Sequence, residues 1–270
     1  MIDKIIVIGP GKSSLDYRPG TDDKVLAFQE VFPNCIEHLK IIPDYWTSGD
    51  PNAYVLGFQY LLDNTNNPDL KKIKILVPDS FFGDLSTYRK SFGTTPLMRI
   101  NKGWEKFTNL LKQVSKIYDV IKVPVVTTKY LALHQKAKTE LDLIFEQEYI
   151  RFMFGKVVFG TVPFDSESVI GETFKWGLEN KLTSNVLPIC YYLKSGKVKI
   201  YGFDYQGPRF YSEIARHPWN DESQVKDNIV EFSLNILKKW VEWKSIHGME
   251  IISGTQDPVC LPNDFLTFEE

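Results

Sequence analysis

Short apolar runs, each closed by glycine, proline or small polar side chains, alternate along this chain with stretches of helical period. Residues 4–8 are apolar after Lys4 and stop at Gly9, the pattern of a buried strand. Residues 25–32 fit a second strand or a short helix, and 38–46 read as a strand with Pro43 near its end. The turn Gly49-Asp50-Pro51-Asn52 puts a proline where a helix can begin, and 53–62 carry apolar residues at helical spacing. A polar connector over 63–68 leads to a strand over 72–78. In 104–117, Phe107, Leu110, Leu111, Val114 and Ile117 share one helical face. A strand rich in β-branched residues follows over 120–126. Helical period then returns over 130–145 and, in two pieces, over 172–193. A strand over 198–203, a long helix over 225–243 and a last strand over 249–252 complete the series. Residues 149–163 are aromatic and β-prone and fit no element clearly.

This alternation predicts an α/β fold: a mostly parallel, Rossmann-like sheet with helices on both faces. There is no internal repeat and no linker that divides the chain, so residues 1–270 read as one domain. The irregular stretches 80–102 and 146–170 are the places for a small lid or inserted subdomain.

Composition narrows the function. With 270 residues, 43% hydrophobic and 24% charged, the chain can bury a large α/β core. A net charge of -2 without a long basic run argues against a nucleic-acid partner. The first residues lack the signal-peptide pattern, and no apolar stretch reaches membrane-spanning length. A soluble, cytoplasmic protein without a transmembrane segment is the expectation. Cys35, Cys190 and Cys260 are odd in number and far apart, with no CxxC, which suits a reduced compartment rather than disulfides or zinc. Oligomeric state leaves no mark in the sequence.

Four segments carry candidate chemistry. Gly9-Pro10-Gly11-Lys12-Ser13-Ser14 follows a strand, and such a turn either cradles an anion with its amides or serves as a tight strand-to-helix turn. It matches neither GxxxxGK[ST] nor GxGxxG. Thr47, Ser48 and Asp50 sit where a strand leaves for a helix, placed for a ribose or base edge, or for a helix cap. Thr183-Ser184-Asn185 opens a helix, whose free amides suit an anion or a simple cap. Gly202-Phe203-Asp204-Tyr205-Gln206, with Tyr211 and His217 beyond it, lies past the carboxyl end of a strand, where α/β folds bind ligands. Tyr205 and Tyr211 offer hydroxyls to a departing phosphate, and His217 offers an imidazole, the side chain whose unperturbed titration range suits a general base. His38, His134 and His247 are weaker candidates. HxxxH, HExxH and Asp-x-Asp are all absent, which disfavours a metal site.

In this order and spacing, these motifs resemble those of the metal-independent bacterial sialyltransferases that use CMP-sialic acid. The resemblance implies a sialyltransferase-like fold and an inverting, single-displacement glycosyl transfer from a CMP-sugar donor to a glycan acceptor, with no cofactor. Gly9, Gly11 and Ser13 would contact the nucleotide phosphate and sugar. Asp50, Ser184 and Asp204 would complete the donor site, Tyr205 and Tyr211 would bond the leaving phosphate, and His217 would deprotonate the acceptor hydroxyl. Pro10 and Asp50 stand where that family has Asn, and Asn185 where it has Gly; a carboxylate at 50 would repel an anionic donor. The segment 43–51 and the Gly202 loop also resemble a group that includes 6-hydroxymethylpterin diphosphokinases. A nucleotide-dependent diphosphokinase and a non-catalytic nucleotide- or glycan-binding protein are the alternatives.

Overall fold

In the computed structural model, residues 2–48, 51–78, 81–82, 97–123, 182, 186–204, 209–211, 237–238, 240–242, 244, 248–256 and 266–268 are described. Strand β1 (Ile2–Ile8) lies inside a seven-stranded sheet. On one side it pairs with β2 (Lys24–Phe28), followed by β3 (Tyr45–Thr47), β4 (Lys74–Pro78) and β5 (Asp119–Val123). On its other side it pairs with β6 (Ser195–Tyr201), which pairs with β7 (Glu250–Ser253). Every pairing is parallel, so the protein has the expected α/β, Rossmann-like architecture.

Burial on both faces explains why β1, β2 and β4 read as nearly continuous apolar runs over most of their length. Side chains alternate across the pleat. Ile5 and Val7 join a core with Leu187, Ile189 and Cys190 of a short helix, and with Leu237 and Trp240. Ile6 and Ile8 join the opposite core, with Phe32, Phe58 and Phe107. Among the described residues, helices with both ends placed are α1 (Val31–Asn34), α2 (Pro51–Asp63), α3 (Leu97–Val114) and α4 (Leu187–Tyr192). Fully burying one such apolar side chain contributes about 1.5–3 kcal/mol. Trp46 of β3 anchors the second core, stacked on Phe32 at 4.6 Å and edge-on to Phe58 at 5.6 Å. Gly57 lets α2 approach that closely, because a Cβ there would fall inside 3.0 Å of the Trp46 ring.

Helix α2 begins at Pro51, as the turn chemistry predicts. The segment 25–32 is both of its options in turn: a strand to Phe28, then α1 from Val31. The strand expected over 38–46 is only Tyr45–Thr47. Before it, α1 continues as a π-helical turn (Cys35–Leu39) and stops at Lys40, which is left-handed at φ 58°. Phe32 and Cys35, three apart, seat this turn in the core. Asp44 then accepts the Val25 amide at 2.9 Å, so the apolar run 41–46 spends its first half as a loop. Helix α3 starts at Leu97, inside the stretch expected to be irregular. The rest of the proposed lid segments, apart from residues 81–82, and the helix expected over 130–145 lie outside the described residues.

Candidate functional site at the strand switch

The chain order along the sheet reverses at one place. From β1 the strands run outward to β5; the chain then returns to set β6 against the free side of β1. The carboxyl ends of β1 and β6 therefore flank the switch point, the crevice where open parallel sheets bind ligands.

Two loops meet there. The amide of Gly9 donates to the Tyr201 carbonyl at 2.7 Å, and that of Gly11 to the Gly202 carbonyl at 2.7 Å. Glycine is required on both sides: a Cβ on Gly9 would lie within 3.0 Å of Gly202, and one on Gly11 within 3.0 Å of the Asp204 carboxyl. Gly202 itself has φ 72°, which disfavours any side chain. The chain then enters a 3₁₀ turn (Lys12–Asp16). Ser13 donates its amide to Asp204 at 2.9 Å and its hydroxyl to the other carboxylate oxygen. The same hydroxyl accepts the Gly202 amide at 2.9 Å, and Ser14 donates to the Gly9 carbonyl at 2.8 Å. Asp204 thus fills the donor cluster that a bound anion would use, and a ligand that takes the Ser13 amide has to displace it.

A third segment closes against the glycine loop. Gly11 and Arg209 form an antiparallel bridge, and the Phe210 amide donates to the Pro10 carbonyl at 3.0 Å. This holds Tyr211 beside the loop. Arg209 donates to the Tyr211 oxygen at 2.7 Å and forms an ion pair with Glu30, while the Tyr211 hydroxyl donates to Glu30 at 3.2 Å. Glu30 reaches this point because Gln29, just past β2, is left-handed at φ 57°; non-glycine residues adopt that geometry uncommonly. Burial, and then the Glu30 charge, push the Tyr211 phenol above its ordinary value, outweighing the pull of Arg209. The phenol is therefore protonated at neutral pH and able to donate.

Among the residues singled out in the sequence, the structure brings Gly9, Gly11, Ser13, Asp204 and Tyr211 to this one place. Asp50, Ser184, Tyr205 and His217 lie outside the described residues. Sequence reasoning passed over Glu30 and Arg209. Their signal was position: a charged residue directly beyond a strand next to the switch point, and an arginine between two candidate tyrosines. His38, set aside as a strand residue, has its ring 6.5 Å from Tyr211 and 6.3 Å from Phe210.

A cavity of about 600 Å³ opens elsewhere, on the sheet face over β1 and β6, lined in part by Lys4, Tyr17, Asp23, Lys199 and Tyr201. None of the candidate residues lines it. Its wall is tied together by Lys4 and Tyr17, which bond Asp23 at 2.7 and 3.0 Å. Among the described residues, no group of three or more His, Cys, Asp or Glu could hold a metal ion. Among them also, no helix is long and apolar enough to cross a membrane.

No protein-family model and no curated protein matches this chain. Among solved structures it is similar to the sialyltransferase CstII from Campylobacter jejuni in complex with cytidine-5'-monophosphate, at 13% identity and a TM-score of 0.49, covering 100% of this chain and 86% of that one. The same enzyme with CMP-3FNeuAc gives 10% identity and a TM-score of 0.46, covering 99% and 86%. A complex of CST-II with a trisaccharide acceptor and CMP gives 12% and 0.44, covering 99% and 86%.

Proposed function

We propose that this protein is a glycosyltransferase that moves a sugar from a CMP-activated donor to a glycan hydroxyl, with inversion and without a metal ion. The observation that carries this reading is the meeting of three segments, 9–13, 202–204 and 209–211, at the switch point of a doubly wound sheet. Cytidine and sialic acid rest on the motif resemblance alone. In this reading the donor phosphate lies over the turn at Gly11 and Ser13 once Asp204 has swung off the Ser13 amide, and Asp50, Ser184 and the displaced Asp204 line the rest of the donor site. Tyr211, protonated and fixed by Arg209, donates to the phosphate as it leaves, and Tyr205 joins it. His217 takes the proton of the acceptor hydroxyl as its oxygen attacks the anomeric carbon.

Thermal unfolding with CMP, UDP, GDP and ADP tests the donor class, since a ligand that binds only the folded chain raises its stability by mass action. CMP alone is expected to raise the midpoint, and CMP-sugar turnover is expected to survive EDTA. A response to another nucleotide and not to CMP would overturn the donor assignment; CMP-sugar turnover that EDTA abolishes would make the transfer metal-dependent, and only magnesium-requiring pyrophosphate transfer from a nucleoside triphosphate would favour the diphosphokinase reading. A non-catalytic nucleotide- or glycan-binding protein is the other alternative. For that reading, a Tyr205→Phe/Tyr211→Phe double variant would match the wild type, with no turnover in either.

A further inference from the structure

We propose that Arg209 and Tyr211 form a phosphate-binding pair that the carboxylate of Glu30 occupies in the absence of ligand, making Glu30 a built-in competitor for anions at this site. The proposal rests on the functional reading above only for what the phosphate is attached to.

The geometry is that of an anion held by two donors. A single Glu30 oxygen, Oε1, takes both the Arg209 Nη1 and the Tyr211 hydroxyl. A guanidinium and a phenol are donors a phosphate oxygen accepts equally well, and the bonds are charge-assisted in either case. Side-chain exposures of 16% for Arg209 and 26% for Glu30 leave the pair shielded but reachable. The main chain on both sides is fixed independently of that contact. Arg209 and Phe210 are bonded to Gly11 and Pro10, and the Glu30 carbonyl accepts the Asn34 side-chain amide at 2.8 Å. Exchange of carboxylate for phosphate therefore needs only a rotation of the Glu30 side chain. Asp204 on Ser13 is the same arrangement on the other side of the glycine loop, so each side of Gly11 has its donors filled by a carboxylate of the protein. Leaving Glu30 in place beside a bound phosphate would set two anions together, which costs affinity.

Titration calorimetry with inorganic phosphate at fixed ionic strength tests this on the full chain. Glu30→Gln keeps an oxygen for the two donors and removes the charge. It is expected to bind phosphate about tenfold more tightly than the wild type, while Arg209→Gln and Tyr211→Phe bind it more weakly. Equal or weaker binding by a folded Glu30→Gln overturns the proposal, as does the absence of phosphate binding to every folded variant. A crystal of the wild type soaked in phosphate supplies a second measurement should Glu30→Gln fail to fold: phosphate on Arg209 with the Glu30 carboxylate swung away sustains the proposal, and an unmoved Glu30 overturns it. Phosphate carries neither base nor sugar. Tighter phosphate binding by Glu30→Gln with no response to CMP would sustain this inference and remove the nucleotide reading.

Discussion

Ser13 and Asp204 are 191 residues apart in the chain and are joined twice, through the Ser13 amide at 2.9 Å and through its hydroxyl. Both bonds are charge-assisted, and Ser13 is buried. Asp204→Ala should therefore cost about 2–3 kcal/mol in urea unfolding, because it strands two donors. A double-mutant cycle with Ser13→Ala should show a clear coupling energy; strictly additive losses would mean the pair does not clamp the two loops.

Gly202→Ala should be among the most damaging single substitutions. The new methyl meets the Ser14 hydroxyl and the Gly9 carbonyl, and the residue keeps φ 72°. A loss of more than about 2 kcal/mol is expected from strain and clash together. Gly248→Ala is the control: its φ is 75°, yet nothing lies within 4 Å of the added carbon. A thermal midpoint for Gly202→Ala as high as that of Gly248→Ala would contradict the close approach of the loops.

Tyr54 is fully buried; its hydroxyl donates to the Leu76 carbonyl at 2.5 Å and accepts the Ser48 amide at 2.9 Å. Burial pushes its phenol well above the ordinary value. Tyr54→Phe keeps the ring and removes both bonds at the exit of β3, and should cost about 1–3 kcal/mol. Unchanged denaturant stability would show that these groups find other partners.

Asp23 predicts an acid-side effect. Burial pushes its carboxyl up, but bonds from Lys4, the Gly20 amide and Tyr17 together hold it below the ordinary 3.8. The folded state therefore binds its proton less readily than the unfolded state. The resulting stability is present above the ordinary carboxylate value and fades as pH falls toward and through the lower folded value. Asp23→Asn should flatten the acid limb of stability against pH and leave its shape between about pH 6 and pH 8 unaltered, below the range where Tyr17 and Tyr201, both raised in part by the Asp23 charge, ionise. An unchanged acid limb would rule out the linkage.

His217→Ala should lose most transferase turnover with CMP affinity largely kept, the signature of a group needed for the chemical step rather than for donor binding. Full activity in the purified variant would assign the base elsewhere.

Elements built on strong local signals were legible in the sequence. β1 ends just before a glycine, Pro51 opens α2, and Phe107, Leu110, Leu111 and Val114 of the expected apolar face are buried on α3, while Ile117 lies past its end and is exposed. The strand misplaced at 38–46 shows the limit: Ile41 is buried like a strand residue, yet it lies in a loop after a π turn. Local pattern records burial and not the partner that causes it. The site was legible as a set of motifs and not as a network. Nothing local joins Glu30 to Arg209, because that pairing depends on where β2 lies relative to the segment after β6.

The placement of β6 also bears on biosynthesis. β1 is made first and can be covered by β2 almost at once, but its other edge waits until β6 emerges from the ribosome. Through that interval a hydrophobic edge stands open to pairing with other nascent chains. Products truncated before Ser195 should accumulate as insoluble material, and slowing translation in that stretch should burden chaperones more than slowing it after Ser253.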